Sequence, residues 1–352
     1  MGTKAFTAGC LGLSLTADEI AFYRDERPWG FLLFLRNIDN PGQVQDLCAS
    51  MRNAVGNPDA PILIDQEGGR VQRFRPPHWA KYPPAGKLAE IYRTNPEKGE
   101  RAVWLQSRLL AFDLLKLGVT INCLPVLDVL IPSAHDAIGD RSYGQDPKMV
   151  TKLGRAACDG LLAGGVMPVI KHMPGQGRSR LDSHLELPVV EATLAELEAT
   201  DFVPFKALSD ISMAMTAHIV YQDIDPNNPA TTSSTLISQI IRKKIGFDGL
   251  LMSDDVSMNA LSGDCGQRCK AVFGAGCDIV LHCNGKMDEM RLVAANSPEL
   301  AGKALSRAKK AMIGVGKCDE SDEQVLRTEF ADLIAEIYSP AKTRPKERLW
   351  QP

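Results

Sequence analysis

The chain has 352 residues, 44% of them hydrophobic and 24% charged, with a formal net charge of −3 at pH 7. That length suits one α/β barrel, which takes about 250 residues plus insertions. The near-neutral charge excludes a charge-driven nucleic-acid partner, and no apolar run approaches the roughly 18 residues of a membrane span. The N-terminal stretch MGTKAFTAGCLGLSLTADE lacks the charged and apolar regions of a secretory signal, so a cytoplasmic location is expected. The nine cysteines are scattered, mostly in apolar surroundings. They are read as buried free thiols, including the group Cys265, Cys269, Cys277 and Cys283 beside His282, whose spacing lacks paired CxxC knuckles. No metal and no cofactor are expected.

In chain order, short apolar runs predict strands over 8–14, 31–34, 62–64, 120–123, 167–170, 213–216, 250–252 and 278–281. Segments of helical length and periodicity lie between them, for example over 43–55, 98–117 and 147–163. Runs apolar on both faces belong to parallel strands covered by helices, and eight such units predict a (β/α)8 TIM-type barrel. From about residue 317 the composition turns charged and helix-forming. The predicted organisation is a single catalytic barrel over 1–316 and a C-terminal helical extension and tail over 317–352.

Active sites of such barrels sit at the C-terminal ends of the strands. Five of these runs are followed by chemistry: Asp65, Gln66 and Glu67 with Arg73 after ILI, a loop with Arg141 after INCLPVLDV, Lys171 and His172 after VI, His218 after AMTA, and Asp254 and Asp255 after LLMS. Carboxylates, arginines and histidines therefore converge on one rim. Asp65, Arg73, Arg141 and Lys171 are groups of the kind that grip a polyhydroxylated ligand, since a carboxylate accepts hydroxyl protons while Arg and Lys donate to oxygens.

A carboxylate ending a purely apolar strand is costly unless function or a partner holds it. Alternation along an extended segment predicts that only one of Asp254 and Asp255 faces the site, the other capping the next segment. His78 and His135 lie in loops and are read as incidental, whereas for His218 a rim contact and a ligand contact remain open. Asp182 and His184, two residues apart, share a face in an extended loop. Such a pair can hydrogen-bond, fixing the imidazole tautomer and favouring imidazolium, as an acid/base dyad requires.

With DQEGGRVQRF (65–74), INCLPVLDV (121–129), GDRSY (139–143), KHMPGQG (171–177), DSH (182–184) and SDD (253–255) in this order, the chain resembles glycoside hydrolase family 3. Within that family it looks like the single-domain bacterial β-N-acetylglucosaminidases of peptidoglycan recycling. The resemblance implies a retaining hydrolase. Asp254 would be the nucleophile, His184 the acid/base and Asp182 its partner. Asp65, Arg73, Arg141, Lys171 and His172 would hold the N-acetylglucosamine, and a muropeptide carbohydrate would be the small-molecule substrate. A monomer with no nucleic-acid or membrane partner is expected. Two departures stand out. Met173 and Gln176 occupy positions where the family commonly reads KHFPGHG, and Arg178 and Arg180 make the loop basic.

Three other readings share these residues. A phosphorylase would pass the sugar to phosphate, because a neutral histidine does not repel the dianion as a carboxylate would. A non-catalytic sugar-binding barrel would keep the grip without the chemistry. An aldolase-like barrel would use Lys171 as a Schiff base.

Overall fold

In the computed structural model, which describes residues 2–132, 136–179, 181 and 186–338, strands and helices alternate as the apolar runs predict. The barrel strands are β1 (Lys4–Ala8), β2 (Pro28–Leu33), β3 (Ile62–Ile64), β4 (Ile121–Asn122), β5 in two pieces (Met167–Pro168 and Ile170–Met173), β6 (Met213–Thr216), β7 (Leu250–Asp255) and β8 (Ile279–His282). These nine parallel pieces form one sheet in which each strand pairs with its neighbours in sequence and β1 pairs with β8. The two pieces of β5 lie at opposite ends of the pairing order. Only Val169 separates them, so the sheet curls round to a barrel of eight positions with helices outside.

The first strand differs from expectation, running over Lys4–Ala8 rather than 8–14. Leu11 and Leu13, whose hydrophobicity suggested the later start, are 52% and 44% exposed. The strand instead ends where Gly9 passes so close to Cys283 that a Cβ there would lie 2.3 Å from its carbonyl oxygen. Leu11 and Leu13 belong to the loop beyond.

Side-chain parity explains why the strands read as unbroken apolar runs. Leu63, Met167, Val169, Leu250 and Met252 fill the barrel interior. Their neighbours Ile62, Ile64, Ile170 and Leu251 face the helices. Because alternate residues share a face, the interior series continues at the strand ends as Asp65 after Leu63, Lys171 after Val169 and Asp254 after Met252. The barrel interior thus ends in charged groups.

Helix starts follow local chemistry. Asn40 and Asp146 cap the helices Pro41–Val55 and Pro147–Ala163, each with proline at the first position, where a missing N–H is harmless. The helix Glu323–Tyr338 packs Leu326 and Phe330 into the main core. Arg327 reaches Tyr82 Oη at 3.2 Å and Asp113 at 2.7 Å, and Tyr82 Oη donates to Asp113 at 2.8 Å. Just before this helix, Asp319 accepts from Arg108 Nε and Nη2 at 3.0 and 2.7 Å. Arg108 is buried, its guanidinium 3.8 Å from the Phe112 ring centroid.

Asp319→Ala would leave that buried guanidinium without its carboxylate. The expected loss is about 2 kcal/mol in urea unfolding, below the 3–5 kcal/mol of a fully buried pair because Asp319 is partly exposed. An unchanged midpoint would show that solvent substitutes for the carboxylate.

Candidate functional site

After β3 the chain makes a tight antiparallel hairpin, Gln66–Gly68 against Val71–Gln72. Gly68 and Gly69 turn it with φ of 98° and 58°, a region that glycine enters without a Cβ penalty. Buried Gln66 holds it shut. Its Oε1 accepts from the backbone N–H groups of Arg73 (2.8 Å) and Phe74 (3.0 Å), and its backbone is bonded in both directions by the Asn122 amide. Asp65, Glu67, Arg70 and Arg73 are thereby fixed at the mouth of the barrel.

Three of these charges, Asp65, Glu67 and Arg73, form an ionic lattice with Lys171 and Arg141. Lys171 Nζ lies 2.9 Å from Asp65 Oδ1 and 2.6 Å from Glu67 Oε1. Glu67 takes Arg141 in a two-point grip at 2.9 and 2.8 Å, and Asp65 Oδ2 meets Arg73 Nη2 at 3.2 Å. Burial alone would push the Asp65 and Glu67 carboxyls up. Lys171 and Arg73 outweigh it for Asp65, and Arg141 and Lys171 hold Glu67 down to about 2. For Lys171, burial favours the neutral amine, but Asp65 and Glu67 overcome it and raise its pKa. The ammonium is thus locked on, which removes the free amine that a Schiff base requires. Arg70 shapes the neighbouring loop, donating to the carbonyls of Asp136, Ala137 and Ile138 at 2.6, 2.7 and 3.0 Å, just ahead of the turn Gly139–Arg141.

The lattice forms one wall of a cavity of about 410 Å³, within the usual size range of a small-molecule site. Asp65, Arg73, Arg141, Lys171, His172 and Asp254 all line it, together with Phe34 and Gln176. The Lys171/His172 peptide is cis. Asp254 and Asp255 both touch the cavity, yet they are held differently. Both oxygens of Asp255 serve the following turn, accepting from Ser257 N–H (2.9 Å), Ser257 Oγ (2.7 Å) and Cys283 N–H (3.2 Å). Asp254 continues the interior series and accepts the Asp255 N–H at 2.8 Å.

The remaining histidines sort by their partners. His218 is fully buried; its Nε2 donates to the Asp255 carbonyl at 3.0 Å and its Nδ1 accepts from Thr231 Oγ1 at 2.7 Å. Burial lowers its pKa, so it is a neutral ring bracing the backbone beside Asp254. His78 is exposed. Asp182, His184, Arg180 and His135 lie outside the described residues. Arg178 is not a loose loop charge, because it binds Asp201 at 2.7 Å and Thr200 Oγ1 at 2.8 Å.

Among the described residues, Cys265, His282 and Glu289 bring metal-ligand atoms within 4.8 Å of one another. Glu289, from the next helix, replaces the other three cysteines of the sequence grouping. Its Oε2 already accepts from His282 Nε2 (3.2 Å), Asn284 (2.7 Å) and Cys265 Sγ (3.6 Å). His282 Nδ1 is buried with no hydrogen-bond partner, whereas a metal-ligating histidine normally anchors its second nitrogen. The cluster reads as a hydrogen-bonded clasp between helices.

Sequence reasoning gave no role to Glu67 and Asp128, both buried. Asp128 accepts from the backbone N–H groups of His172 and Gln176 at 3.2 and 2.7 Å, and its Oδ2 faces His172 Nδ1 at 2.8 Å. The available signal was an acid inside an apolar run, LPVLDV, the same anomaly that singles out Asp254.

A barrel with a polar, charge-paired cavity at its C-terminal mouth is the arrangement of an enzyme active site. Residues 24–315 match the Glycosyl hydrolase family 3 N terminal domain. Among curated relatives, the β-hexosaminidase of Methylobacillus flagellatus is 36% identical over 286 residues, covering 80% of this chain and 81% of that one. That of Methylococcus capsulatus is 35% identical over 333 residues, covering 94% and 97%. In structure, NagZ from Neisseria gonorrhoeae in complex with N-trifluoroacetyl-D-glucosamine superposes with a TM-score of 0.83 at 31% identity, covering 96% of this chain and 98% of that one. The chain belongs to glycosyl hydrolase family 3. It is a glycoside hydrolase.

Glu67→Gln is expected to destabilise the protein at pH 7 by about 3 kcal/mol, since Lys171 and Arg141 lose a buried counter-charge. The Glu67 pKa is depressed by folding, so its contribution is complete above the ordinary value of 4.5 and disappears as pH falls towards about 2. The stability gap between variant and wild type should therefore close over that acidic window, as read by urea unfolding across pH.

Proposed function

We propose that the chain is a retaining exo-β-N-acetylglucosaminidase that removes terminal β-linked N-acetylglucosamine from muropeptides, chiefly the disaccharide with 1,6-anhydro-N-acetylmuramic acid and its peptides. The observation that carries this reading is Asp254 at the inward-facing end of β7, in the same cavity as Asp65, Arg73, Arg141, Lys171 and His172. Relatives named β-hexosaminidase, and a gonococcal relative solved with an N-acylglucosamine, support the choice of sugar. The muropeptide assignment rests on the sequence motifs.

In the proposed route the Asp254 carboxylate attacks the anomeric carbon as the glycosidic bond breaks and His184 imidazolium protonates the leaving oxygen. Water then attacks the glycosyl-enzyme, His184 takes its proton and Asp254 is released. Asp182 orients His184. Asp65, Arg73, Arg141, Lys171 and His172 hold the sugar hydroxyls and N-acetyl group throughout. We further assign residues 1–316 to the catalytic barrel and 317–352 to an extension, and place the enzyme in the cytoplasm as a monomer acting without metal or cofactor.

Asp254→Ala should lower kcat by about 10⁴-fold or more while affinity for N-acetylglucosamine changes only a few-fold. Full turnover in that variant would overturn the nucleophile assignment. His184→Ala should slow natural glycosides more than aryl glycosides with good leaving groups, which need less proton donation. Products from purified anhydro-muropeptides, with and without phosphate, decide the reaction. Free N-acetylglucosamine supports hydrolysis, and a sugar 1-phosphate as the main product identifies a phosphorylase.

A further inference from the structure

Every cation on the cavity wall is a donor only, yet a sugar hydroxyl both donates and accepts. Asp65 supplies acceptor oxygens on one side. Beside the carboxylates of Asp254 and Asp255 and the Gln176 amide, His172 can supply another, provided its ring carries the proton on the right nitrogen.

Asp128 decides that. It is fully buried, and its Oδ2 lies 2.8 Å from His172 Nδ1. A carboxylate only accepts, so in the neutral ring Nδ1 holds the proton and Nε2 is the lone-pair nitrogen. Its other oxygen, Oδ1, accepts two backbone N–H groups, from His172 at 3.2 Å and from Gln176 at 2.7 Å. One carboxylate thereby fixes the end of β5 and the following turn, whose His172 and Gln176 both line the cavity. The chain has no slack there. A Cβ on Gly177 would lie 1.9 Å from the Val129 carbonyl oxygen, one residue beyond Asp128.

We propose that Asp128 is a positioning residue for sugar binding, which sets the His172 tautomer so that Nε2 accepts a sugar hydroxyl and pins the backbone of Gln176 beside it. The proposal rests on the carbohydrate reading of the cavity. It explains why the departure at Gln176 leaves the turn intact, since that position is held through its backbone N–H.

The test separates tautomer from mere folding. In ring-¹⁵N-labelled protein, His172, assigned by the peak lost in His172→Gln, should show a protonated Nδ1. In Asp128→Asn the retained oxygen still accepts the two backbone N–H groups, and the amide NH2 now donates to Nδ1, so the proton should move to Nε2. Affinity for N-acetylglucosamine, measured by calorimetry, should fall about tenfold, as for loss of one neutral hydrogen bond. Adding Asp128→Asn to His172→Gln should cause no further loss. Asp128→Ala, which also removes the Gln176 clamp, should weaken binding more than Asp128→Asn.

An unchanged tautomer in Asp128→Asn, or a fully additive double variant, would overturn the role of Asp128 on His172. Equal losses in Asp128→Asn and Asp128→Ala would overturn the Gln176 half. Should the wild type fail to bind N-acetylglucosamine, the sugar assignment falls while the tautomer measurement still decides what Asp128 does.

Discussion

The site depends on one buried exchange of charge, the Lys171 ammonium held between Asp65 and Glu67. None of these groups could sit at the end of an apolar barrel alone, because an unpaired buried ion is prohibitively costly. Arg141 on Glu67 and Arg73 on Asp65 extend the pair into a lattice in which each charge is offset by a neighbour. The charged groups lining the cavity are thereby set before any ligand arrives, and binding need not order long flexible side chains. Exposed ion pairs elsewhere on the surface, such as Lys87 with Glu90, have no comparable role.

Barrel parity is what delivers these groups. A strand with an even number of residues between a core position and its polar end would turn that end towards the helices. Leu63 and Asp65, Val169 and Lys171, and Met252 and Asp254 all keep the two-residue step. The shift of β1 to Lys4–Ala8 does no harm to this scheme, because none of residues 9–14 lines the cavity.

Much of this was readable from sequence because the signal was local: an apolar run, then a charge. The strand-end positions of Asp65, Lys171 and Asp254 follow from that pattern alone. Glu67 was harder, since its meaning comes from Arg141, 74 residues away, and from Lys171 on a third element. Asp128 hid for a different reason. Its partners are backbone N–H groups and one ring nitrogen, none of which leaves a mark in composition. The cysteine group is buried and free, as its apolar surroundings suggested, but the contact between Cys265 and His282 through Glu289 left no sequence mark. His218 was undecidable from sequence, its fate being set by Thr231 and a backbone carbonyl of β7.

The C-terminal helix Glu323–Tyr338 reaches the site through a short mechanical chain. Arg327 and Phe330 brace Tyr82, the Tyr82 carbonyl accepts the Gly69 N–H at 2.9 Å, and Gly69 ends the hairpin that carries Glu67. Gln106 adds a second tie, donating to the carbonyls of Glu67 and Pro83 at 3.2 and 3.1 Å. The helix is therefore a buttress for the lattice rather than an ornament on the barrel. Sequence drift along that helix, far from the cavity, is thereby coupled to the stiffness of the pocket.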